Sequence, residues 1–147
     1  MKKLLFVVDP LDQFKVYKDT TFSIMREAQW RGYLIAACLP QDIQWKSGGF
    51  VMATVQQISL TGSQPGWYRV HNTMRMALKD FDAVLMRKDP PFNAEYIYAT
   101  HLLEQAERED GNVVNRPRAL RDHPEKLAIM EFPELVPPTL VTRNAAS

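Results

Sequence analysis

Continuous apolar runs alternate with an amphipathic stretch in the first third of the chain. The run from Lys3 to Asp9 predicts a buried parallel strand, because strands covered on both faces lack polar alternation. Asp19 or Thr20 then precedes apolar side chains at helical spacing, which predicts a helix that ends at Gly32. A second apolar run, Tyr33–Leu39, predicts the next strand. This order indicates two parallel strands joined by a right-handed crossover.

The middle of the chain interrupts this alternation. The runs Ile43–Lys46 and Phe50–Val55 flank a turn with two glycines, and they predict an inserted β-hairpin. A loop is predicted over Thr61–Gly66, a short strand over Trp67–Val70 and a helical turn over Met74–Leu78.

The alternation resumes in the second half. Ala83–Lys88 predicts a third core strand, and Asn93 caps a predicted helix over Ala94–Glu109, with Gly111 as its stop. Val113–Asn115 predicts a short strand. The predicted fold class is therefore α/β, with an open, mostly parallel sheet flanked by helices.

The last residues predict the start of another unit. Asp122 and Glu125 have the spacing of a capping box, with Asp in the place of Ser or Thr, so a helix is predicted to about Glu131. Thr139–Thr142 predicts a strand.

The exit of the third core strand carries the chemistry that stands out most. Arg87, Lys88 and Asp89 follow an apolar run directly, and two prolines then prevent continuation as strand or helix. Ligands of open α/β sheets bind outside the carboxyl ends of strands. Arg87 and Lys88 are therefore candidate anion-binding residues. The alternatives are a merely solvated strand exit, or an Arg87 that braces the turn by pairing with Asp89.

Composition narrows the function classes. The chain has 147 residues, 46% apolar and 24% charged, with a net charge of +1, so bulk electrostatics favour neither nucleic acid nor a membrane surface as partner. The single cysteine, Cys38, excludes an intrachain disulfide and indicates a reducing compartment, which we expect to be the cytoplasm. The first apolar run is too short for a signal peptide or a membrane span.

Common cofactor motifs are absent from the sequence. No Gly-x-Gly-x-x-Gly follows the first strand, and there is no P-loop or Cys-x-x-Cys. The three histidines lack metal-ligand spacing, so no metal site is predicted from these residues.

Several motifs together resemble the amino-terminal part of bacterial glutathione synthetases, which are ATP-grasp ligases. The most specific pairing is Met-Arg-Lys-Asp-Pro-Pro-Phe followed by Tyr-Ile-Tyr-Ala-Thr. The matching segments are Val7–Pro10, Lys18–Phe22, Glu27–Tyr33, Leu85–Phe92, Glu95–Thr100, Val114–Pro117, Leu120–Asp122, Glu125–Leu127 and Thr139–Arg143.

The resemblance implies a reaction and a domain order. Members of this family join γ-glutamylcysteine to glycine with ATP and Mg²⁺, through an acyl phosphate, and they are homo-oligomers. Residues 1–122 would form the pre-ATP-grasp, Rossmann-like substrate domain, and 123–147 the beginning of an ATP-grasp domain. Complete members are much longer, so we expect this chain to be a fragment that does not catalyse alone. The Mg²⁺ ligands would lie in the remaining part.

The resemblance also implies roles for single residues. Lys126 matches a lysine that contacts ATP phosphate, and Lys18 matches a loop lysine that faces the γ-glutamyl peptide. Arg87 and Lys88 match a substrate-binding pair. Asp9 is expected to position the loop, and Asn115 and Arg121 to act as hinge and capping residues.

A non-enzymatic α/β binding or receiver-like signalling module is the alternative. An acid after the first strand and a lysine before a proline-containing turn favour it. A receiver also needs a phosphoacceptor Asp after its third strand, and no clear candidate stands there.

Overall fold

The computed structural model describes residues 1–62 and 66–144. Seven strands form one sheet in this part of the chain, and three α-helices accompany it. The strands are β1 (Lys3–Val7), β2 (Leu34–Cys38), β3 (Ile43–Gln44), β4 (Met52–Leu60), β5 (Tyr68–Ala77), β6 (Ala83–Met86) and β7 (Val113–Val114), and the helices are α1 (Thr20–Trp30), α2 (Ala94–Arg108) and α3 (Pro117–Asp122).

The sheet divides into a parallel and an antiparallel half. The strand order is β3-β4-β2-β1-β6-β7, and β5 pairs with β4. The pairings β2–β1, β1–β6 and β6–β7 are parallel, whereas β4 runs antiparallel to β2, β3 and β5. An α/β sheet flanked by helices is confirmed. The prediction "mostly parallel" is too strong, because the inserted residues 43–77 add three antiparallel strands to the same sheet.

The inserted hairpin is confirmed, and it is longer than predicted. Ile43 pairs with Ala53, while β4 continues to Leu60 and pairs along its length with β5. The helical turn predicted over Met74–Leu78 is wrong, because β5 extends to Ala77. Met74 and Met76 pack on the core while Arg75 between them is exposed, a period of two that indicates a strand. Of the predicted loop Thr61–Gly66, residues 63–65 lie outside the described residues.

Side-chain caps set the starts of the two long helices as predicted. The Asp19 carboxylate accepts the Phe22 N–H at 3.0 Å, and the Asn93 side chain accepts the Tyr96 N–H at 3.1 Å. Gly32 follows α1 with φ +75°, the left-handed conformation that a glycine adopts without strain.

The end of α2 differs in detail from the prediction. Asp110, not Gly111, adopts the left-handed conformation, with φ 68°. Gly111 is needed for space instead, because a Cβ there would lie 2.7 Å from the Ala106 carbonyl oxygen. The Gly111 N–H donates to that oxygen at 2.8 Å.

The carboxy-terminal segment departs most from the prediction. Helix α3 ends at Asp122, and the helix predicted from there to Glu131 is wrong, since only a 3₁₀ turn at Ala128–Glu131 forms. Pro124 explains the break, because it disfavours helical conformation in the residue before it. The strand predicted at 139–142 is also wrong, as these residues have no strand partner in the described chain.

Two apolar clusters cover the two faces of the sheet. One lies between the sheet and α2 and includes Leu5, Val84 and Leu103, all fully buried. The other lies between the sheet and α1 and includes Phe6 and Met25. This packing brings the carboxyl ends of β1, β2 and β6 to one edge, where the sequence predicts the site. No helix of the described residues is long and apolar enough to cross a membrane.

Candidate functional site

Two neighbouring clefts open at the carboxyl edge of the parallel strands. The α1 cleft, of about 500 Å³, lies between the β1–α1 loop and the exit of β6. The α3 cleft, of about 670 Å³, lies between the same exit and the segment that contains α3. Arg87, Asp89 and Pro90 line both clefts. All four predicted site residues line at least one of them: Lys18 and Arg87 the first, and Arg87, Lys88 and Lys126 the second.

Arg87 stands on the border of the two clefts. Its Nε donates to Thr21 Oγ1 at 3.1 Å, and its Nη2 donates to Thr20 Oγ1 at 2.9 Å. No carboxylate of the described residues pairs with it, so the predicted alternative of a brace with Asp89 does not form. The guanidinium keeps its full charge and further N–H donors for a ligand.

Lys88 points to a different partner. Its ammonium contacts Asp9 Oδ1 at 2.7 Å and the Asp89 carbonyl at 2.7 Å. The other Asp9 oxygen accepts the Asp89 N–H at 2.8 Å. Asp9 thus bonds to two consecutive residues of the β6 exit. Its expected role in positioning the loop stays a prediction. The role of Lys88 in substrate binding stays a prediction, with its charge already paired.

Lys18 extends along the rim of the α1 cleft. It is exposed, and its Nζ lies 5.9 Å from the centre of the Tyr17 ring. Lys15 lines the same cleft, and neither lysine has an acidic partner within the described chain. With Arg87, three cations that lack a carboxylate partner therefore surround this cleft.

The acids of the α1 cleft are mostly engaged by the protein. Asp9 bonds as described above, and Asp19 caps α1. The Asp89 side chain has no hydrogen bond or ion pair to any described residue, although its main chain is bonded. It is the carboxylate of this cleft that remains available to a cationic group.

Lys126 occupies a turn directly after α3. It is exposed and lines the α3 cleft, as Phe92 and Tyr96 do. Burial raises the pKa of the Tyr96 hydroxyl, an effect that the nearby Arg87 charge partly offsets. The lining of this cleft therefore combines aromatic rings with a cationic side chain.

Arg121 docks the segment that carries Lys126. Its guanidinium donates to Thr100 Oγ1 at 3.2 Å and pairs with Glu104, whose pKa it lowers. Both partners belong to α2, so α3 is tied to the body of the domain. Arg121 therefore forms an α2–α3 contact, and Asn115 lines the α3 cleft. Their hinge and capping roles stay predictions.

The local sequence does not reveal the site contacts of Thr20 and Thr21. Both lie in the segment Lys18–Phe22 that resembles the family, but the pattern predicts only a helix cap for Thr20. Thr21 lies 66 residues from Arg87 along the chain, so no local pattern could join them. The structure also brings Lys15 and Asp89 into one cleft, which no local pattern predicts.

No metal site appears in the described chain. Across residues 1–62 and 66–144, no group of three or more His, Cys, Asp or Glu side chains is arranged to hold an ion.

Comparison with known proteins gives one consistent family. The model described as "Prokaryotic glutathione synthetase, N-terminal domain" matches residues 2–121. Proteins named glutathione synthetase from Ralstonia nicotianae, Nitrosomonas europaea and Vibrio cholerae are 51%, 48% and 46% identical, over 97%, 95% and 99% of this chain. The chain covers 44%, 44% and 45% of those proteins, less than half of their length.

The matched residues include all seven strands, both long helices and the residues of the two clefts up to position 121. It does not favour the receiver-like alternative. The chain therefore belongs to the prokaryotic glutathione synthetase N-terminal domain family.

Proposed function

We propose that this chain supplies the substrate-binding part of a glutathione synthetase. The reaction is the ATP-dependent joining of γ-glutamylcysteine to glycine: ATP phosphorylates the cysteinyl carboxylate, and the glycine amine attacks the acyl phosphate. One observation carries the proposal beyond the family match. Lys18 and Lys126 lie on two clefts that meet at Arg87 and Asp89.

The α1 cleft has the charge pattern of a site for the dipeptide. γ-Glutamylcysteine carries two carboxylates and one ammonium at neutral pH. Lys15, Lys18 and Arg87 offer cationic donors to the carboxylates, and Asp89 offers an acceptor to the ammonium. Lys88, already paired with Asp9, contributes mainly by holding the loop.

The α3 cleft has the features of part of a nucleotide site. Lys126 offers a point charge to phosphate, and Phe92 and Tyr96 offer apolar surface to a base or ribose. When bound with ATP, Mg²⁺ neutralises phosphate charge. The described residues provide no ligand set for that ion, so we assign it no contact in this chain.

The proposal includes the domain order and the setting. Residues 1–122 act as a Rossmann-like pre-ATP-grasp domain, and 123–147 begin the ATP-grasp domain that supplies the rest of the site. The working enzyme is a cytoplasmic homo-oligomer, as the single cysteine and the family resemblance predict.

A chimera tests the proposal. This chain replaces the matching N-terminal portion of the Ralstonia nicotianae protein, and ADP release and glutathione formation are followed with γ-glutamylcysteine, glycine and Mg-ATP. We expect turnover that depends on all three substrates. A folded chimera without dipeptide-dependent ADP release, beside an active parent protein, would overturn the proposal.

Variants of the chimera test the residue roles. Lys126→Ala should raise the KM for ATP or lower kcat, and Lys18→Ala should raise the KM for γ-glutamylcysteine alone. Lys46→Ala is the control, since this exposed lysine lines neither cleft. Equal kinetics for Lys126→Ala and Lys46→Ala would remove Lys126 from the site.

A further inference from the structure

The guanidinium of Arg87 is held from one side only. Its Nε and Nη2 atoms form one edge of the planar group, and both donate to threonine hydroxyls of α1. The adjacent edge of the group is a fork of two N–H donors, one on Nη1 and the second one on Nη2. This fork has no partner in the described chain. This fork has the geometry that binds a carboxylate through two parallel hydrogen bonds.

The choice of hydroxyl partners has an electrostatic consequence. A carboxylate in the place of Thr20 or Thr21 would also orient the arginine, but it would cancel its charge. A hydroxyl oxygen accepts the hydrogen bond and leaves the positive charge intact. Arg87 is therefore oriented and still fully charged toward the clefts.

Both sides of this contact belong to rigid elements. Thr21 is 4% exposed and lies in the first turn of α1, which Asp19 caps. The Arg87 N–H donates to the Val7 carbonyl at 2.8 Å, so its backbone continues the β1–β6 pairing. The guanidinium consequently needs little ordering when a ligand binds, which preserves affinity.

We propose that Thr20 and Thr21 are positioning residues that make Arg87 a preformed carboxylate clamp. The ligand class is a carboxylate, and the inference that it belongs to γ-glutamylcysteine rests on the proposed function. The threonines act through Arg87 and do not themselves contact the substrate.

Nuclear magnetic resonance of the chimera described above, which contains the rest of the site, tests the clamp in the absence of ATP. The unsubstituted chimera is the parent chain in these experiments. The Arg87 Nε–H signal should exchange slowly with solvent in the parent chain and faster in Thr21→Val, which removes its acceptor. Exchange should also be faster in Thr20→Val, a substitution at an exposed position that frees Nη2. Titrations with γ-glutamylcysteine and with glutarate, a plain dicarboxylate, then give two affinities for each protein. Amide spectra verify that every variant is folded.

The expected pattern separates positioning from mere packing. Thr21→Val should weaken γ-glutamylcysteine binding about tenfold, as loss of a hydrogen bond to a charged group does. Thr21→Ser restores the hydroxyl and should bind within about twofold of the parent chain. Ser23→Ala, a hydroxyl of the same helix that bonds to Asp19 O instead, should change nothing.

The outcomes distinguish this inference from the proposed function. If Thr21→Val and Thr20→Val bind γ-glutamylcysteine as the parent chain does, the clamp is wrong while the function stands. If binding depends on the threonines but glutarate binds as tightly as γ-glutamylcysteine, the clamp stands and dipeptide recognition fails. A parent chain that binds neither compound overturns both.

Discussion

Removal of the Asp9 carboxylate should destabilise the domain and release the exit of β6. In the structure this carboxylate bonds to the Asp89 N–H at 2.8 Å and to the Lys88 ammonium at 2.7 Å. A hydrogen bond to a charged group contributes about 1.5–3 kcal/mol. The ion pair, with side chains 23% and 26% exposed, adds about 0.5–1 kcal/mol. Asp9→Ala should therefore lower the free energy of unfolding by about 2–4 kcal/mol.

Urea unfolding followed by circular dichroism measures this difference. Lys88→Ala removes the ion pair and the hydrogen bond to the Asp89 carbonyl but keeps the bond from the Asp89 N–H to Asp9, so it should lower the free energy of unfolding by about 1–2 kcal/mol. Hydrogen exchange gives a second, local readout, because the Asp89 amide should lose protection in Asp9→Ala and keep it in Lys88→Ala. Asp12→Ala is the matched control, since Asp12 is exposed and bonds to no described side chain.

If the free energies of unfolding of Asp9→Ala and Asp12→Ala differ by less than about 0.5 kcal/mol, the Asp9 carboxylate does not stabilise the β6 exit. An unchanged Asp89 exchange rate would lead to the same conclusion.

Three further predictions follow from single contacts. Gly111→Ala should lower the free energy of unfolding by about 1–3 kcal/mol, because its Cβ would lie 2.7 Å from the Ala106 carbonyl oxygen. Gly49→Ala is the control: its nearest contact is at 3.4 Å, so the free energy of unfolding in the same urea assay should change by less than about 0.5 kcal/mol. The hydrogen bond to Glu131 raises the pKa of His123 in the folded chain. The stabilisation from this pair should therefore be present below the usual histidine pKa and disappear as the pH rises through the pKa of His123 in the folded chain. Glu131→Gln should remove this pH dependence of the unfolding midpoint. Burial raises the pKa of Cys38 to about 12, so an aromatic disulfide reagent at pH 8 should label it about a thousandfold more slowly in the folded than in the urea-unfolded chain.

Each of these has an outcome that contradicts it. Equal stabilities of Gly111→Ala and Gly49→Ala would show that the helix end yields without strain. An unfolding midpoint with the same pH dependence in Glu131→Gln would remove the His123 pair. Rapid labelling of folded Cys38 would mean that β2 opens far more readily than its burial indicates.

Local pattern was sufficient for the elements whose side chains report their own environment. The strands β1 and β2 are continuous apolar runs because both faces are covered. The helices α1 and α2 are capped by Asp19 and Asn93, whose side chains bond to N–H groups only three residues ahead. The fold class and the starts of both long helices therefore followed from neighbours along the chain.

Where distant partners decide the conformation, the pattern failed. The segment Tyr68–Ala77 is a strand because β4 lies beside it, whereas its two methionines were also compatible with a helical turn. Residues 139–142 have the composition of a strand but no neighbour among the described residues to pair with. A strand is stable only when its backbone groups find partners, and the sequence does not show those partners.

The same division applies to the site. The sequence by itself determined that Arg87, Lys88 and Asp89 stand at a strand exit, since charge and proline end an apolar run there. Only the tertiary structure decided what each one does. The register that sets Val7 beside Met86 brings Asp9 to Lys88 and Asp89, and it brings the first turn of α1 to Arg87. Two basic neighbours in the sequence, Arg87 and Lys88, thus become one available and one paired charge, because side-chain direction and partner distance are properties of the folded sheet.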